Sequence, residues 1–149
     1  SDRYSSMKQQ TIESISVGDQ LPVLHKSADE AQLFLYSAAS FNPHRIHYDR
    51  TYAEFEGHTD IIVHGPLQGS WLTQFVTDWA GPASRLLNIT WQNRASAIVG
   101  ENLEFHGSVT EINQTERTAL LSLEERNRNG AILMPATALI KLPSQNTLK

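Results

Sequence analysis

The chain has 149 residues, of which 40% are hydrophobic and 19% are charged, and its formal net charge is −4. The apolar fraction is too high for a disordered chain, and the acidic balance lacks the basic excess that a nucleic-acid binder needs. The sequence contains no cysteine, which excludes disulfides, a cysteine nucleophile and thiolate metal sites. We expect one domain over residues 1–149, in a soluble, cytoplasmic protein that does not act at a membrane.

The first predicted elements are an edge strand and a helix. The short apolar segment Val17–Leu24 is interrupted by Gly and Pro, as is typical of an edge strand. Ser27 and Glu30 have the spacing of a helix-capping box, and apolar residues then recur at helical spacing up to about Ala39: Ala31, Phe34, Leu35 and Ala38. Pro43 ends this helix, because a proline disfavours helical geometry in the residue before it.

The central part of the chain predicts a long polar loop and then a buried helix. Ser40–His64 has no regular pattern apart from a helical turn at Thr51–Phe55, and its polar side chains indicate a functional segment. Pro66 suits the first turn of a helix, and Gly81 ends it. Between them, large apolar residues recur every four positions: Leu67, Trp71, Phe75 and Trp79.

After Arg85 the hydrophobic period changes to two, which predicts strands. The candidates are Asn88–Ala95, Asn102–Ile112, Thr118–Arg126 and Ala131–Leu142. Asn129 and Gly130 form a tight hairpin turn between the last two, and Pro135 marks an edge or a bulge. The predicted fold class is α+β, with an antiparallel β-sheet wrapped around a central apolar helix.

Two segments carry groups suited to catalysis. Ser40–Asp49 contains two imidazoles, a guanidinium, a carboxamide and a carboxylate in ten residues. In the second segment an apolar run leads into His64, Gly65 and Pro66 at a helix start, where unpaired backbone N–H groups suit an anion or a developing oxyanion.

The strings FNPHRIHYD (Phe41–Asp49) and IVHGPLQ (Ile62–Gln68) resemble the MaoC-like, or R-specific enoyl-CoA hydratase, branch of the hot-dog superfamily. Within it they are similar to the subgroup of mesaconyl-C4-CoA hydratase, itaconyl-CoA hydratase and fungal-type hydroxyacyl-thioester dehydratases. The resemblance implies a hot-dog fold, no cofactor and reversible addition of water to an α,β-unsaturated thioester of CoA or acyl-carrier protein. The acyl chain and the physiological direction stay open.

The resemblance also implies site residues. The family's catalytic histidine corresponds to Arg45 by direct counting from the Asn-Pro pair, or to His47 when the following H-x-D is matched, and we assign it to His47. Gly65 matches the oxyanion-hole glycine. Ser40 stands where the family has an aspartate, so Asn42 or Asp49 is expected to take part of that role.

Two further residues are expected to bind substrate, and one of them has an alternative role. We predict that Arg45 holds the second carboxylate of a dicarboxylic acyl group such as itaconyl-CoA or mesaconyl-CoA, with His64 as another substrate-binding residue. Arg45 could instead pair with Asp49 or Glu56 on the surface.

Alternative functions follow from the same residues. His44, His47 and Asp49, with His58 and His64 nearby, resemble a metal-ligand cluster. An acyl-CoA thioesterase would need a carboxylate on the buried helix, which offers only Asp78 at its far end. A fatty-acid dehydratase or a non-catalytic acyl-CoA-binding protein is also compatible with the fold. Because relatives often carry two hot-dog halves, we expect a homodimer or a dimer of dimers, with the pocket at the interface.

Overall fold

Five antiparallel strands form the sheet in the computed structural model of this protein, which describes residues 8–148. The strands are β1 Leu24–Lys26, β2 Arg85–Trp91, β3 Leu103–Asn113, β4 Thr118–Arg126 and β5 Ile132–Lys141. Their order across the sheet is β1-β3-β4-β5-β2. The last three strands in the chain are therefore neighbours, and the two earliest strands form the edges.

Burial alternates along the three central strands, as their sequence period of two predicts. The inward residues are almost all apolar and include Phe105, Val109, Leu121, Leu123, Ala138 and Ile140. One inward residue of β4 is the exception, because Glu125 is a completely buried acid. The sheet thus offers one continuous apolar face to the rest of the chain.

The long helix α3, Gly65–Ala80, packs on that face and forms the centre of the core. His64 is its N-cap residue, Pro66 lies in its first turn, and Gly81 ends it with a positive φ of 90°. Gly69 lets the helix approach the sheet closely: a Cβ there would lie 2.4 Å from the Trp91 ring. The predicted buried helix is confirmed.

Two shorter helices precede α3. Helix α1 spans Glu30–Ala39 and helix α2 spans Arg50–Phe55, and a 3₁₀ turn at Arg45–His47 lies between them. A second 3₁₀ turn, Gln145–Thr147, follows the last strand. The predicted helical turn at Thr51–Phe55 is thus confirmed, with one more residue at its start.

The N-terminal predictions need two corrections. The edge strand occupies Leu24–Lys26 instead of Val17–Leu24, because Gly18 turns the chain with a φ of 93° and Pro22 has no N–H to donate. The cap of α1 is Asp29 instead of Ser27, since the Asp29 carboxylate accepts a hydrogen bond from the backbone N–H of Gln32 at 2.8 Å.

The last strands need smaller corrections. Strand β2 begins at Arg85, three residues earlier than predicted, and ends at Trp91. Pro135 lies in β5, an interior strand, instead of at an edge. The pairing of β5 with β2 stops at Ala136, the neighbour of Pro135. Two residues before Pro135, Leu133 is left out of the pairing between β4 and β5. The proline therefore stands beside a bulge.

The α+β prediction is confirmed: an antiparallel sheet encloses one apolar helix. Across residues 8–148, no helix has the length and apolarity needed to cross a membrane. The single domain over residues 1–149 and the cytoplasmic location stay predictions.

Candidate active site

The loop between α1 and α3 buries the ring of His47, of which only 7% is exposed. Its Nδ1 lies 2.8 Å from the backbone carbonyl oxygen of Ile62. A carbonyl oxygen can only accept, so Nδ1 carries the proton and donates it. In the neutral ring, Nε2 therefore presents a lone pair, which is the form that a general base requires.

The ring of His64 stacks on that of His47. The ring centroids are 3.8 Å apart and the planes differ by 19°. His64 is completely buried, and its Nε2 lies 2.7 Å from the hydroxyl oxygen of Ser37 on α1. Within residues 8–148, its Nδ1 has no hydrogen-bond partner.

Burial keeps both rings neutral. It lowers the pKa of His64 to about 4, with a smaller contribution from the charge of His47. Burial also lowers the pKa of His47, assisted by the charges of His44 and His58 and opposed by the hydrogen bond to Ile62. At neutral pH the stack therefore consists of two uncharged imidazoles.

The N-terminus of α3 lies next to this stack, because His64 immediately precedes it. Among the described residues, the N–H of Gly65 has no backbone acceptor, as is usual in a first helical turn. The amide of Gln68 fixes the turn by donating to the carbonyl oxygens of Val63 and His64, at 3.0 and 3.2 Å. Gly65 thus offers a fixed donor at the positive end of a helix.

The side chain of Asn93 lies against Gly65. A Cβ on Gly65 would come within 2.9 Å of its Oδ1 and 3.0 Å of its Nδ2. Asn93 follows the end of β2, so a side chain at position 65 would have to displace a group that reaches the helix start from the sheet edge.

Asn42 and Ser40 stand at the C-terminal end of α1. The backbone N–H of Asn42 donates to the carbonyl oxygen of Ser37 at 2.9 Å, and its Oδ1 accepts from the N–H of His44 at 3.3 Å. Ser40 donates its hydroxyl to the carbonyl oxygen of Tyr36 at 2.6 Å. The Ser40 hydroxyl therefore caps the end of α1, while Asn42 is hydrogen-bonded to Ser37, the residue that contacts His64.

Arg45 and Asp49 bind each other at the surface. Nε and Nη2 of Arg45 lie 3.0 and 2.5 Å from one Asp49 oxygen, and the guanidinium carbon is 4.6 Å from the centre of the Tyr52 ring. The other Asp49 oxygen caps α2 by accepting from the N–H of Tyr52. Hydrogen bonding to Arg45 is the main cause that lowers the pKa of Asp49. The pairing that the sequence left as the alternative for Arg45 is thus present.

The structure therefore brings His47, His64 and Gly65 together. Asn42 is linked to them only through its backbone hydrogen bond to Ser37, and Arg45 pairs with Asp49. Sequence reasoning missed Ser37. A signal existed, because Ser37 follows Leu33 by four residues and both lie on the buried face of α1. A polar residue on the face that a helix buries requires a partner.

The positions of the residues considered for two alternative functions can also be stated. No three His, Asp or Glu side chains come together as metal ligands in the part of the chain that is described. Asp78, the carboxylate considered for a thioesterase, is exposed near the end of α3 opposite to Gly65, in a groove with Pro22 and Trp79.

Comparisons with known proteins identify a family for this chain. The family profile of hydroxyacyl-thioester dehydratase type 2 matches residues 4–99. Mesaconyl-C(4)-CoA hydratase of Chloroflexus aurantiacus is 47% identical over 55 residues, which are 32% of this chain but only 20% of that protein. The 3-oxo-4,17-pregnadiene-20-carboxyl-CoA hydratase beta subunit of Mycobacterium tuberculosis is 29% identical over 97 residues, 65% of this chain and 75% of that one.

The (R)-hydratase of A. caviae shares the fold, with a TM-score of 0.82 and 24% identity over 88% of this chain and 99% of that chain. Together these matches confirm the resemblance to the MaoC-like branch of the hot-dog superfamily and the hot-dog fold, and the named relatives are hydratases or dehydratases.

Proposed function

Because this chain belongs to the hydroxyacyl-thioester dehydratase type 2 family, we propose that it catalyses the reversible addition of water to an α,β-unsaturated acyl thioester. The observation that carries the proposal is the fixed tautomer of His47 beside the N–H of Gly65, which has no backbone acceptor among residues 8–148. A base and an oxyanion donor are the two groups that this reaction needs.

In the proposed hydration, Nε2 of His47 takes a proton from water while the water oxygen bonds to the β-carbon. The electrons of the double bond move toward the thioester oxygen, which the N–H of Gly65 stabilises. The same Nε2 then returns the proton to the α-carbon, so that one H and one OH have been added. General base catalysis contributes about 10²–10⁴-fold and an oxyanion donor about 10²–10³-fold.

In this proposal the backbone carbonyl of Ile62 orients the ring of His47, in place of the aspartate that the family has at the position of Ser40. Ser40 and Asp49 both have other partners, whereas Ile62 holds Nδ1 of His47 and stabilises the imidazolium that forms during the reaction. Asn42 is the group proposed to hold the attacking water, since an amide can donate and accept at once.

The proposal of a dicarboxylic substrate such as itaconyl-CoA or mesaconyl-CoA is supported by the stretch that is 47% identical to mesaconyl-C(4)-CoA hydratase. It requires Arg45 to bind the second carboxylate of the substrate. Arg45 would have to exchange Asp49 for the substrate's carboxylate. Arg45→Lys tests this, because a lysine cannot reproduce bidentate contact. Turnover of mesaconyl-CoA should fall by at least about tenfold more than that of crotonyl-CoA; equal losses would contradict the dicarboxylate role.

We also propose a homodimer joined through β2. This seven-residue edge strand pairs only with β5 in the described chain, and it exposes 44% of Leu87 and 36% of Trp91. An open edge of this length is prone to pair with a second copy. A relative is named as a beta subunit, which is consistent with assembly. Light scattering at micromolar concentration tests the proposal, and a monomer would refute it.

The catalytic proposal is tested by following the loss of the conjugated thioester absorbance with crotonyl-, mesaconyl- and itaconyl-CoA. His47→Gln should lose about 10²–10⁴-fold in kcat/KM. His44→Gln is the matched control, because its ring lies in the same loop and is about half exposed. Retention of most activity by His47→Gln would refute the mechanism. Binding without turnover would indicate the non-catalytic acyl-CoA-binding protein instead.

A further inference from the structure

The ring of His64 is held by side chains from two elements. Tyr36 and Ser37, consecutive residues of α1, both contact it: the ring centroids of Tyr36 and His64 lie 4.7 Å apart, and Nε2 of His64 lies 2.7 Å from the Ser37 hydroxyl oxygen. The ring of His47, from the following loop, stacks on it at 3.8 Å. None of His64 is exposed. The contacts therefore fix both the position and the plane of this ring.

The Ser37 hydroxyl is directed differently from the hydroxyls of α3. Those of Ser70, Thr73 and Thr77 donate to carbonyl oxygens of their own helix, at 2.6, 3.0 and 3.0 Å, as serine and threonine within a helix commonly do. Ser37 is only 6% exposed, and its hydroxyl bonds across to His64 instead. Helix α1 is thereby joined to the residue that precedes α3.

The charges around His47 do not favour a protonated ring. In the proposed reaction, its Nε2 takes a proton from water and the ring becomes an imidazolium. The charges of His44 and His58 oppose that change. Asp49 and Glu56, the carboxylates at the two ends of α2, are both paired with other side chains. The positive charge of the intermediate must therefore be stabilised in another way.

Two contacts of His47 can stabilise this charge. One is the Ile62 carbonyl oxygen at Nδ1, and the other is the stacked face of His64. An uncharged aromatic face attracts a cation that lies within about 6 Å of its centre, whereas a second imidazolium would repel it. Burial keeps His64 uncharged by lowering its pKa to about 4.

We infer that His64 is a positioning residue, a neutral ring that fixes the plane of His47 and stabilises its imidazolium during turnover, and that Ser37 holds this ring in place. The inference rests on the proposed function and adds two residues to its machinery. In it, His64 acts through His47 and not by contacting the substrate.

The first test compares His64→Phe with His64→Leu. Both new side chains are apolar and cannot be charged, but only phenylalanine keeps an aromatic face beside His47. NMR titration of the His47 ring in the free protein should give a midpoint at least about half a pH unit higher in His64→Phe than in His64→Leu. His47→Gln identifies the signal, because the His47 resonance is then absent.

The same two variants are compared in the hydration of crotonyl-CoA. His64→Leu should have a kcat about three- to thirtyfold below that of His64→Phe. Their KM values should be similar, because the imidazolium exists only after the proton has moved and not when substrate binds. If His64 only filled the core, the two variants would have equal kcat values and equal His47 midpoints.

The second test concerns Ser37. Ser37→Ala removes the hydroxyl and should lower kcat about two- to tenfold with KM unchanged, whereas Ser37→Thr keeps a hydroxyl and should retain most of kcat. Ser70→Ala is the matched control, since the Ser70 hydroxyl bonds within α3, and it should leave kcat unchanged. Denaturation midpoints show that each variant is folded. Ser37→Ala alters the stack from α1, so it tests the inference even if His64→Leu does not fold.

The outcomes separate this inference from the proposed function. If the wild type hydrates crotonyl-CoA but His64→Phe and His64→Leu share one His47 midpoint and one kcat, the inference is overturned and the catalytic proposal stands. If no enoyl thioester is hydrated, the catalytic proposal fails, and the NMR midpoints still decide whether His64 stabilises the imidazolium. Equal losses of kcat in Ser37→Thr and Ser37→Ala would overturn the role of the Ser37 hydroxyl.

Discussion

Glu125 allows a quantitative test of the core. Its carboxyl group points inward from β4 between Phe105 and Met134, and none of it is exposed. Neither oxygen has a hydrogen-bond partner among residues 8–148. Burial, with a smaller contribution from the charge of Glu101, raises its pKa from 4.5 to about 8. The folded protein therefore keeps Glu125 protonated at neutral pH.

The consequence for stability has a definite sign. Above pH 4.5 the unfolded chain loses this proton while the folded chain holds it until about pH 8. Stability is therefore lost as the pH rises across this window. The folded and unfolded pKa values differ by about 3.5. At about 1.36 kcal/mol for each pKa unit, the free energy of unfolding falls by about 5 kcal/mol across the window.

Glu125→Met removes the titration and fills the space with a flexible apolar side chain. The variant should be more stable than the wild type, and its advantage should be about 3–4 kcal/mol larger at pH 8 than at pH 5. Denaturant unfolding at a fixed protein concentration measures this. Glu124→Gln is the control: Glu124 pairs with Arg126, is partly exposed, and should change stability by less than about 1 kcal/mol at both pH values. An advantage of Glu125→Met that does not grow with pH would refute the reasoning.

Four further predictions follow. The acid limb of kcat/KM should fall below pH 6.5, because burial lowers the pKa of the base His47; a midpoint at or above 6.5 would contradict this. The free energy of unfolding of the wild type should fall by about 3 kcal/mol as the pH falls from 6.5 to about 4, because burial lowers the pKa of His64. His64→Phe should not show this fall. Gly69→Ala should cost about 1–3 kcal/mol in the same assay through the clash with Trp91; an unchanged denaturation midpoint would show that the ring moves aside. Phe41→Gly should stabilise the fold by about 1 kcal/mol in the same assay, and a loss of stability would mean that the φ of 55° carries no strain.

The long helix and the central strands were predictable because their signals are local. Leu67, Trp71 and Phe75 repeat at helical spacing and lie on the buried face of α3. Thr118–Arg126 alternates and forms β4 with the predicted bounds. The edge elements were less predictable, because the position of β1 depends on where β3 provides partners and not on the residues Val17–Leu24 alone.

The candidate site was only partly predictable. The two strings predicted a base at His47 and an oxyanion donor at Gly65, and the fold brings these two residues close together through His64. The roles of Arg45 and Asp49 could not be decided, since both residues were compatible with a site and with a surface pair. The face of α1 was also ambiguous: Phe34 and Leu35 follow the helical pattern, yet both are exposed and Leu33 is buried.

By itself, the sequence determined the fold class, the single apolar helix at its centre, the absence of cysteine chemistry, and the two strings that contain His47 and Gly65. These properties depend on composition and on patterns within a few residues. Only the tertiary structure decided that His47 stacks on His64, that Ser37 contacts that stack, and that Phe41 borders an apolar cleft. The contacts of the stack join residues of different elements, and their geometry is set by the packing of α1 and its loop against the start of α3.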